Sequence, residues 1–180
     1  MLRTDPNTFK KKLEDHIEET KKYLVKYKHD LNKYEDGQKA LKNAQISLNS
    51  IRDMALPKVS YSHGLSNCAR DLVCEIGAFS FIAPINTQEK GINNSLSVNY
   101  LFKYGIPGKE VSENICYKEV NPIIILCKIL SGEEEKLCGR KDLLLNPNFR
   151  IVGVAYGKHN SFQHCVCIIY SNSFSEVKFQ

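Results

Sequence analysis

Apolar positions in the first third of the chain recur at helical spacing. Phe9, Leu13, Ile17, Leu24 and Leu31 mark one stripe. Asp5 followed by Pro6 is a start signal: the carboxylate can accept an orphan N–H of the first turn, and proline there gives up no helical hydrogen bond. The pattern predicts a long first helix, broken at residues 34–37 around Gly37. Ala40, Leu41, Ala44, Leu48, Ile51 and Met54 then predict a second amphipathic helix that ends before Pro57. Its apolar stripe needs a partner. Residues 1–58 thus read as an N-terminal helical segment, packed on or extending a core domain at 59–180.

Downstream, Leu65, Ala69, Leu72, Val73 and Ile76 predict a third helix that Gly77 can terminate. The polar, glycine-containing stretch 84–97 reads as a long loop, and a short helix follows at 98–104. Residues 112–117 read as a strand, and Asn121-Pro122 as the start of a buried helix through Leu130. A polar, acidic turn is expected at 132–138. Strands at 150–156 and 164–170, joined by a turn at 157–160, close the chain as a hairpin. The expected class is α/β in the α+β sense: a layered domain with helices dominating its first two-thirds.

The 180 residues suit one domain with a single substantial core. With 42% hydrophobic and 25% charged residues, the chain sits in the globular range. The net charge of +5 does not make a nucleic-acid stripe, because the lysines of 10–28 alternate with Glu14, Asp15, Glu18 and Glu19, as on a solvated helix face. No nucleic-acid partner is expected. The apolar run at 122–130 is about half of the roughly 18 residues a membrane span needs, so no span is expected either. The N-terminus shows no apolar stretch of secretory type, which leaves two readings: an intracellular protein, or one whose leader lies outside this sequence.

Seven cysteines leave at least one thiol unpaired, and no C-x-x-C pair supports a zinc ribbon or a thioredoxin motif. Buried, reduced thiols are expected for most of them, with Cys165 and Cys167 on one face of a strand. His63 reads as a surface residue at a helix start, and His159 and His164 as exposed imidazoles flanking the hairpin turn. Arg70 and Asp71 read as exposed or capping residues, and Arg140 and Arg150 as anchors of the turn at 146–148. The chain carries no glycine-rich phosphate loop, G-x-S-x-G elbow or H-E-x-x-H motif, so nothing in it supports an enzyme.

Five segments in order carry a resemblance: LRTDPNTFKKKLE (2–14), LSNCARDLVCEIG (65–77), SENI (112–115), GRKDLLLNPNFRIVGVAYGKH (139–159) and CVCIIYSNSF (165–174). Together they resemble the CAP superfamily, the family of cysteine-rich secretory proteins, antigen 5 and plant pathogenesis-related proteins. The resemblance implies a three-layer α-β-α sandwich with a cleft that often holds two histidines and two acids, a donor set suited to zinc.

The resemblance places the second histidine at Gly139 and the first at Asn86, with an acid falling near Ser131 and Gly132, ahead of Glu133, Glu134 and Glu135. Glu113 alone matches the acid positions, and Asn114 beside it is implied to tie the strand to a neighbouring loop. Glu113, Asn114, Asn86 and Gly139 therefore form the expected remnant of a binding cleft, with no catalytic residues, no cofactor and no tightly held metal, since one carboxylate cannot make a zinc site. The function so implied is a non-enzymatic, CAP-like protein-interaction or structural subunit of a larger intracellular assembly, such as a cytoskeletal or ciliary one. The alternative is a secreted CAP protein that binds a sterol or lipid.

Overall fold

The computed structural model describes residues 2–51, 55–79, 97–132 and 135–177. Two helices open the chain: α1 (Pro6–Lys26) and α2 (Leu31–Ser50). The amide of Thr8 donates to the Asp5 carboxylate at 3.0 Å, so the predicted start signal operates. The break between the helices falls earlier than the 34–37 expected from Gly37. Asp30 caps α2 by accepting from Lys33 N at 3.2 Å, and Gly37 lies inside the helix. Its role is tertiary: a Cβ at Gly37 would stand 2.8 Å from Leu24 Cδ2, so the missing side chain lets α2 close on α1.

A four-stranded sheet holds the centre, in the order β1 (Ser60–Tyr61), β4 (Ile151–His159), β5 (Gln163–Ser171), β3 (Val111–Tyr117). β1 runs parallel to β4, and the other neighbours are antiparallel. Strand alternation sends successive residues to opposite layers. Cys165, Cys167 and Ile169 of β5 join Leu65, Ala69, Leu72 and Ile76 of α3 (His63–Phe79) and Leu101 of α4 (Val98–Tyr104) in one core. Val166 and Tyr170 face the other core, with Phe9, Leu13 and Ile17 of α1, Ala44 of α2, and Ile125 and Ile129 of α5 (Pro122–Ser131). The fold is therefore α+β, with the sheet as the middle of three layers and the N-terminal helices built into one of the two cores.

The remaining elements are short. They are β2 (Gly105–Pro107), α6 (Glu135–Cys138), α7 (Lys141–Leu145) and β6 (Phe174–Glu176), with β2 and β6 paired in a small antiparallel sheet. The expected loop at 84–97 lies outside the described residues apart from Ser97, and so does Met54.

Three expectations need correcting. Gly77 does not end α3: a Cβ there would overlap the carbonyl of Lys158, so glycine serves the approach of helix to strand, and α3 runs on to Phe79. The hairpin turn falls at 160–162 instead of 157–160, because the β4–β5 ladder continues to His159 opposite Gln163. The polar stretch before Gly139 ends in a helical turn, α6, where an irregular turn was expected.

α3 sits on β4 with no side chain between them at Gly153, where a Cβ would stand 2.5 Å from Ser66 N. Replacing Gly153 with Ala should lower unfolding stability by about 3 kcal/mol, since overpacking a contact of two backbones leaves little to yield. Urea unfolding checks this, and a loss below about 0.5 kcal/mol would show that the helix seat is soft.

The N-terminus of α3 is held by Glu176, whose carboxylate accepts from Ser62 Oγ at 2.6 Å and from Gly64 N at 3.0 Å. The Ser62 hydroxyl, then the Gly64 amide, hold this carboxyl below its usual pKa. A depressed carboxyl contributes stability above its unfolded pKa, about 4.3, and loses it as pH falls through the folded value. Glu176→Gln should therefore be less stable than the parent at neutral pH, and the two should converge in acid. A gap that stays constant with pH would rule out the ionised carboxylate as the source.

Candidate functional site

β3 determines where the expected cleft residues go. Glu113 and Asn114 are consecutive on the strand, so their side chains leave the sheet on opposite faces. Asn114, only 1% exposed, faces the layer of α5 and α7. Its Oδ1 accepts from Arg140 N at 2.8 Å, and its Nδ2 donates to Arg140 O at 3.1 Å and to Tyr170 Oη at 3.3 Å. The amide thus pairs with a backbone peptide much as a neighbouring strand would. It does what the sequence implied, tying β3 to the segment before α7.

Gly139 belongs to this same contact. Its φ of +84° is in the left-handed region, and an added Cβ would lie 2.7 Å from Asn114 Cβ. A histidine here would meet both a backbone penalty and a collision. Asn114 and Gly139 are therefore brought together as a structural clasp, and Glu113 is not part of it. Asn86 lies outside the described residues, as do Glu133 and Glu134.

Glu113 faces α3 and α4. Ser97 Oγ donates to its Oε2 at 2.8 Å, and Cys68 Sγ donates to Ser97 O at 3.5 Å. Burial, then the charges of Glu113 and Asp71, push the Cys68 thiol up to about 12. Burial and the same Glu113 carboxylate also drive Cys167 well up. These are protonated thiols with little nucleophilic character at neutral pH. Nearby, the carboxylate of Asp71 accepts from Lys103 Nζ and Tyr104 Oη, both at 2.7 Å, and locks α4 to α3. Asp71 is thus an inter-helix link and does more than the exposed contact expected of it.

The other histidine and arginine expectations resolve individually. His63 is an exposed helix-start residue, edge-on to Tyr61 with ring centroids 5.0 Å apart. His159 is not exposed: at 2% accessibility its Nδ1 accepts from the amides of Ser161 and Phe162, organising the hairpin turn, and its ring meets Tyr117 edge-on. The Arg140 guanidinium is bound by Asp142, with contacts of 3.0 and 2.6 Å, and the turn at 146–148 is closed by Asn148 N donating to Asn146 Oδ1 at 2.9 Å. Among the described residues no group of three or more His, Cys, Asp and Glu side chains could hold a metal ion. No described helix is long and apolar enough to cross a membrane.

A second feature was not legible in the sequence. α1, α2 and α5 enclose a groove of about 580 Å³ with Ile124, Cys127 and Leu137 among its apolar lining and Glu19, Asp36 and Lys39 among its charged lining. Asn43 also lines it, 2% exposed, and its Oδ1 has no hydrogen-bond partner among the described residues. Each contributing helix looks ordinarily amphipathic alone, so only tertiary packing shows the space.

Cysteine use is divided. Cys116 and Cys138 form a disulfide joining β3 to α6, directly before Gly139. Cys68, Cys127, Cys165 and Cys167 are buried free thiols and Cys74 is exposed. Burial holds Cys127 up at about 12 and Cys165 at about 11. Iodoacetamide at about pH 8 should therefore modify Cys74 in the native protein and reach the other four only after unfolding. Early labelling of Cys68 or Cys167, read by peptide mass spectrometry, would instead reveal an open, reactive thiol beside Glu113.

No protein-family model, curated protein or solved structure matches the chain.

Proposed function

We propose that the chain is a degenerate CAP-like domain that works without catalysis, as a protein-interaction or structural subunit of a larger assembly, cytoskeletal or ciliary among the candidates. The observation that carries this reading is the closed seat at Gly139, where the metal-binding histidine of the family would stand. Glycine offers no ligand, and the Asn114 amide occupies the space a side chain would need. Glu113 on the opposite face offers one carboxylate, held by Ser97, and one oxygen donor does not make a zinc site. What the chain has left to offer is surface: the groove between α1, α2 and α5, and exposed apolar side chains such as Val25, Leu31, Phe102 and Ile106.

Two measurements test this. Zinc titration of the purified domain should find no one-to-one site tighter than micromolar, whereas such a site, lost in Glu113→Gln, would overturn the non-metal reading. The tagged protein should co-fractionate with an assembly in its own cells and resist mild extraction. Recovery as a free soluble protein would overturn the subunit reading.

A second reading, a secreted CAP protein binding a sterol or lipid, is favoured by one feature, the Cys116–Cys138 bridge, since disulfides persist mainly in oxidising compartments. Mass measurement of protein from its own cells, alkylated without reduction, separates the two: an intact bridge supports the secreted reading, and fully reduced cysteines support the intracellular one.

A further inference from the structure

No residue of α1 beyond Thr20 is fully buried, and none of α2 before Gly37. The end of one helix, the start of the other and the turn between them therefore stand clear of the core, with α1 reaching about 9 Å past its last buried residue at the helical rise. This tip is held in shape by its own contacts. Tyr23 and Tyr27 meet with ring centroids 4.5 Å apart, and Lys26 and Lys33, one from each helix, place their ammonium groups 5.2 and 4.9 Å from the Tyr27 centroid. Leu24 of α1 lies against Gly37 of α2, where a Cβ would come within 2.8 Å of it.

Two kinds of side chain crowd the tip. Val25 is 72% exposed and Leu31 70%, and Tyr23 is exposed as well. The acids that interleave with the lysines lower on α1 stop at Glu19: residues 20–29 hold four lysines and a histidine and no acid. Lys21 reaches back to Glu18 at 2.6 Å, and Lys33 pairs with Asp30 at 2.9 Å. Lys22, Lys26 and Lys28 are exposed and face no carboxylate at ion-pair distance among the described residues. Lys22, Val25 and Lys26 stand at i, i+3 and i+4, so cations flank the exposed valine on one face of α1.

We propose that this tip docks on an anionic phospholipid membrane surface, with the lysines among the headgroup phosphates and Val25 and Leu31 at the boundary of the acyl chains. Chemistry selects this partner. A nucleic acid or an acidic protein would use the lysines and leave the two aliphatic side chains in water, whereas a membrane interface rewards both. Tyr23 and Tyr27, each an apolar ring with a polar end, suit the same layer. Shape agrees: a projecting tip offers little contact to a rigid partner, while a fluid headgroup layer closes around it. The mode is attachment to one leaflet, since no described helix is long and apolar enough to cross.

The test is sedimentation of the full 180-residue chain with lipid vesicles. At about 0.1 M salt the protein should bind phosphatidylcholine vesicles carrying about 30 mol% phosphatidylserine and ignore vesicles of phosphatidylcholine alone. A lysine near an anionic surface is worth about five-fold in partitioning, so Lys22→Gln, Lys26→Gln and Lys28→Gln together should weaken binding on the order of 100-fold. Val25→Ser with Leu31→Ser should weaken it about ten-fold with the charge unchanged. All these side chains are exposed, so the variants should fold as the parent does. The chain contains no tryptophan, so Leu31→Trp supplies a single reporter whose emission should shift to the blue on the anionic vesicles. A parent that stays in the supernatant with anionic vesicles overturns the proposal, as does equal binding to neutral ones or binding that survives loss of the three lysines. Binding that is lost with the lysines, untouched by Val25→Ser with Leu31→Ser and accompanied by no blue shift would make the tip a general polyanion site and overturn the membrane assignment.

Discussion

The structure depends most on one contact, the seat of α3 on β4. Along β4 the residues facing the helix include Gly153, Ala155 and Gly157, a nearly smooth track. A Cβ at Gly153 would run into the backbone of Leu65 and Ser66, and one at Gly157 would come within 2.5 Å of Val73 Cγ1. Polar groups fix the helix along this track. Ser66 Oγ accepts from Val154 N at 3.1 Å, where β1 is too short to supply a partner. At the far end Asn160 donates to the carbonyls of Gly77 and Ala78, answering acceptors that a helix C-terminus leaves open. Lateral freedom of α3 is removed at both ends, and with it the freedom of everything α3 supports: α4 through Asp71, and β6 through Glu176 at Ser62.

That same contact explains what the sequence could and could not tell. Periodicity and cap signals located α1, α3, α5 and the three long strands β3, β4 and β5, because burial of one face writes itself into spacing, while the short strands β1, β2 and β6 carry too few residues to show a pattern. They misplaced the ends of elements at Gly37 and Gly77 for one reason. Glycine has two distinct uses, conformational freedom and absence of volume, and a local reading sees only the first. Both residues are helical here: at Gly77 the Lys158 carbonyl leaves no room for a Cβ, and at Gly37 a Cβ would press on the Leu24 side chain of α1. His159 was misjudged for a similar reason: its burial depends on Tyr117 and Phe162, which reach it from another strand and from the turn.

The candidate site was legible in its pieces and not in its assembly. Adjacent positions in a motif suggest shared work, yet Glu113 and Asn114 serve opposite layers because a strand alternates. Asn114 with Gly139 is a joint between β3 and the segment entering α7. Glu113 with Ser97 and Cys68 is a polar inclusion under α3 and α4. The groove between α1, α2 and α5 lay beyond sequence reasoning altogether, since no single helix records the gap that three leave.

The disulfide gives the joint at Gly139 a dependence on its surroundings. Cys116 is two residues after Asn114 on β3, and Cys138 immediately precedes Gly139, so the bridge and the amide clasp fasten the same two segments. Closing a loop with a sequence separation of 22 residues restricts the unfolded chain by about 3 kcal/mol in the entropic account. With the bridge reduced, registration of the α7 segment against β3 rests on the Asn114 bonds and on packing of Leu143 and Leu144, which belong to the core that α5 shares. The clasp can hold a registered segment without being able to register it, because its hydrogen bonds form only once the Arg140 peptide is already in place. Oxidation of this pair therefore bears on how firmly one edge of the sandwich is held, and leaves the α3–β4 seat on the other face to its own packing and its Ser66 and Asn160 hydrogen bonds.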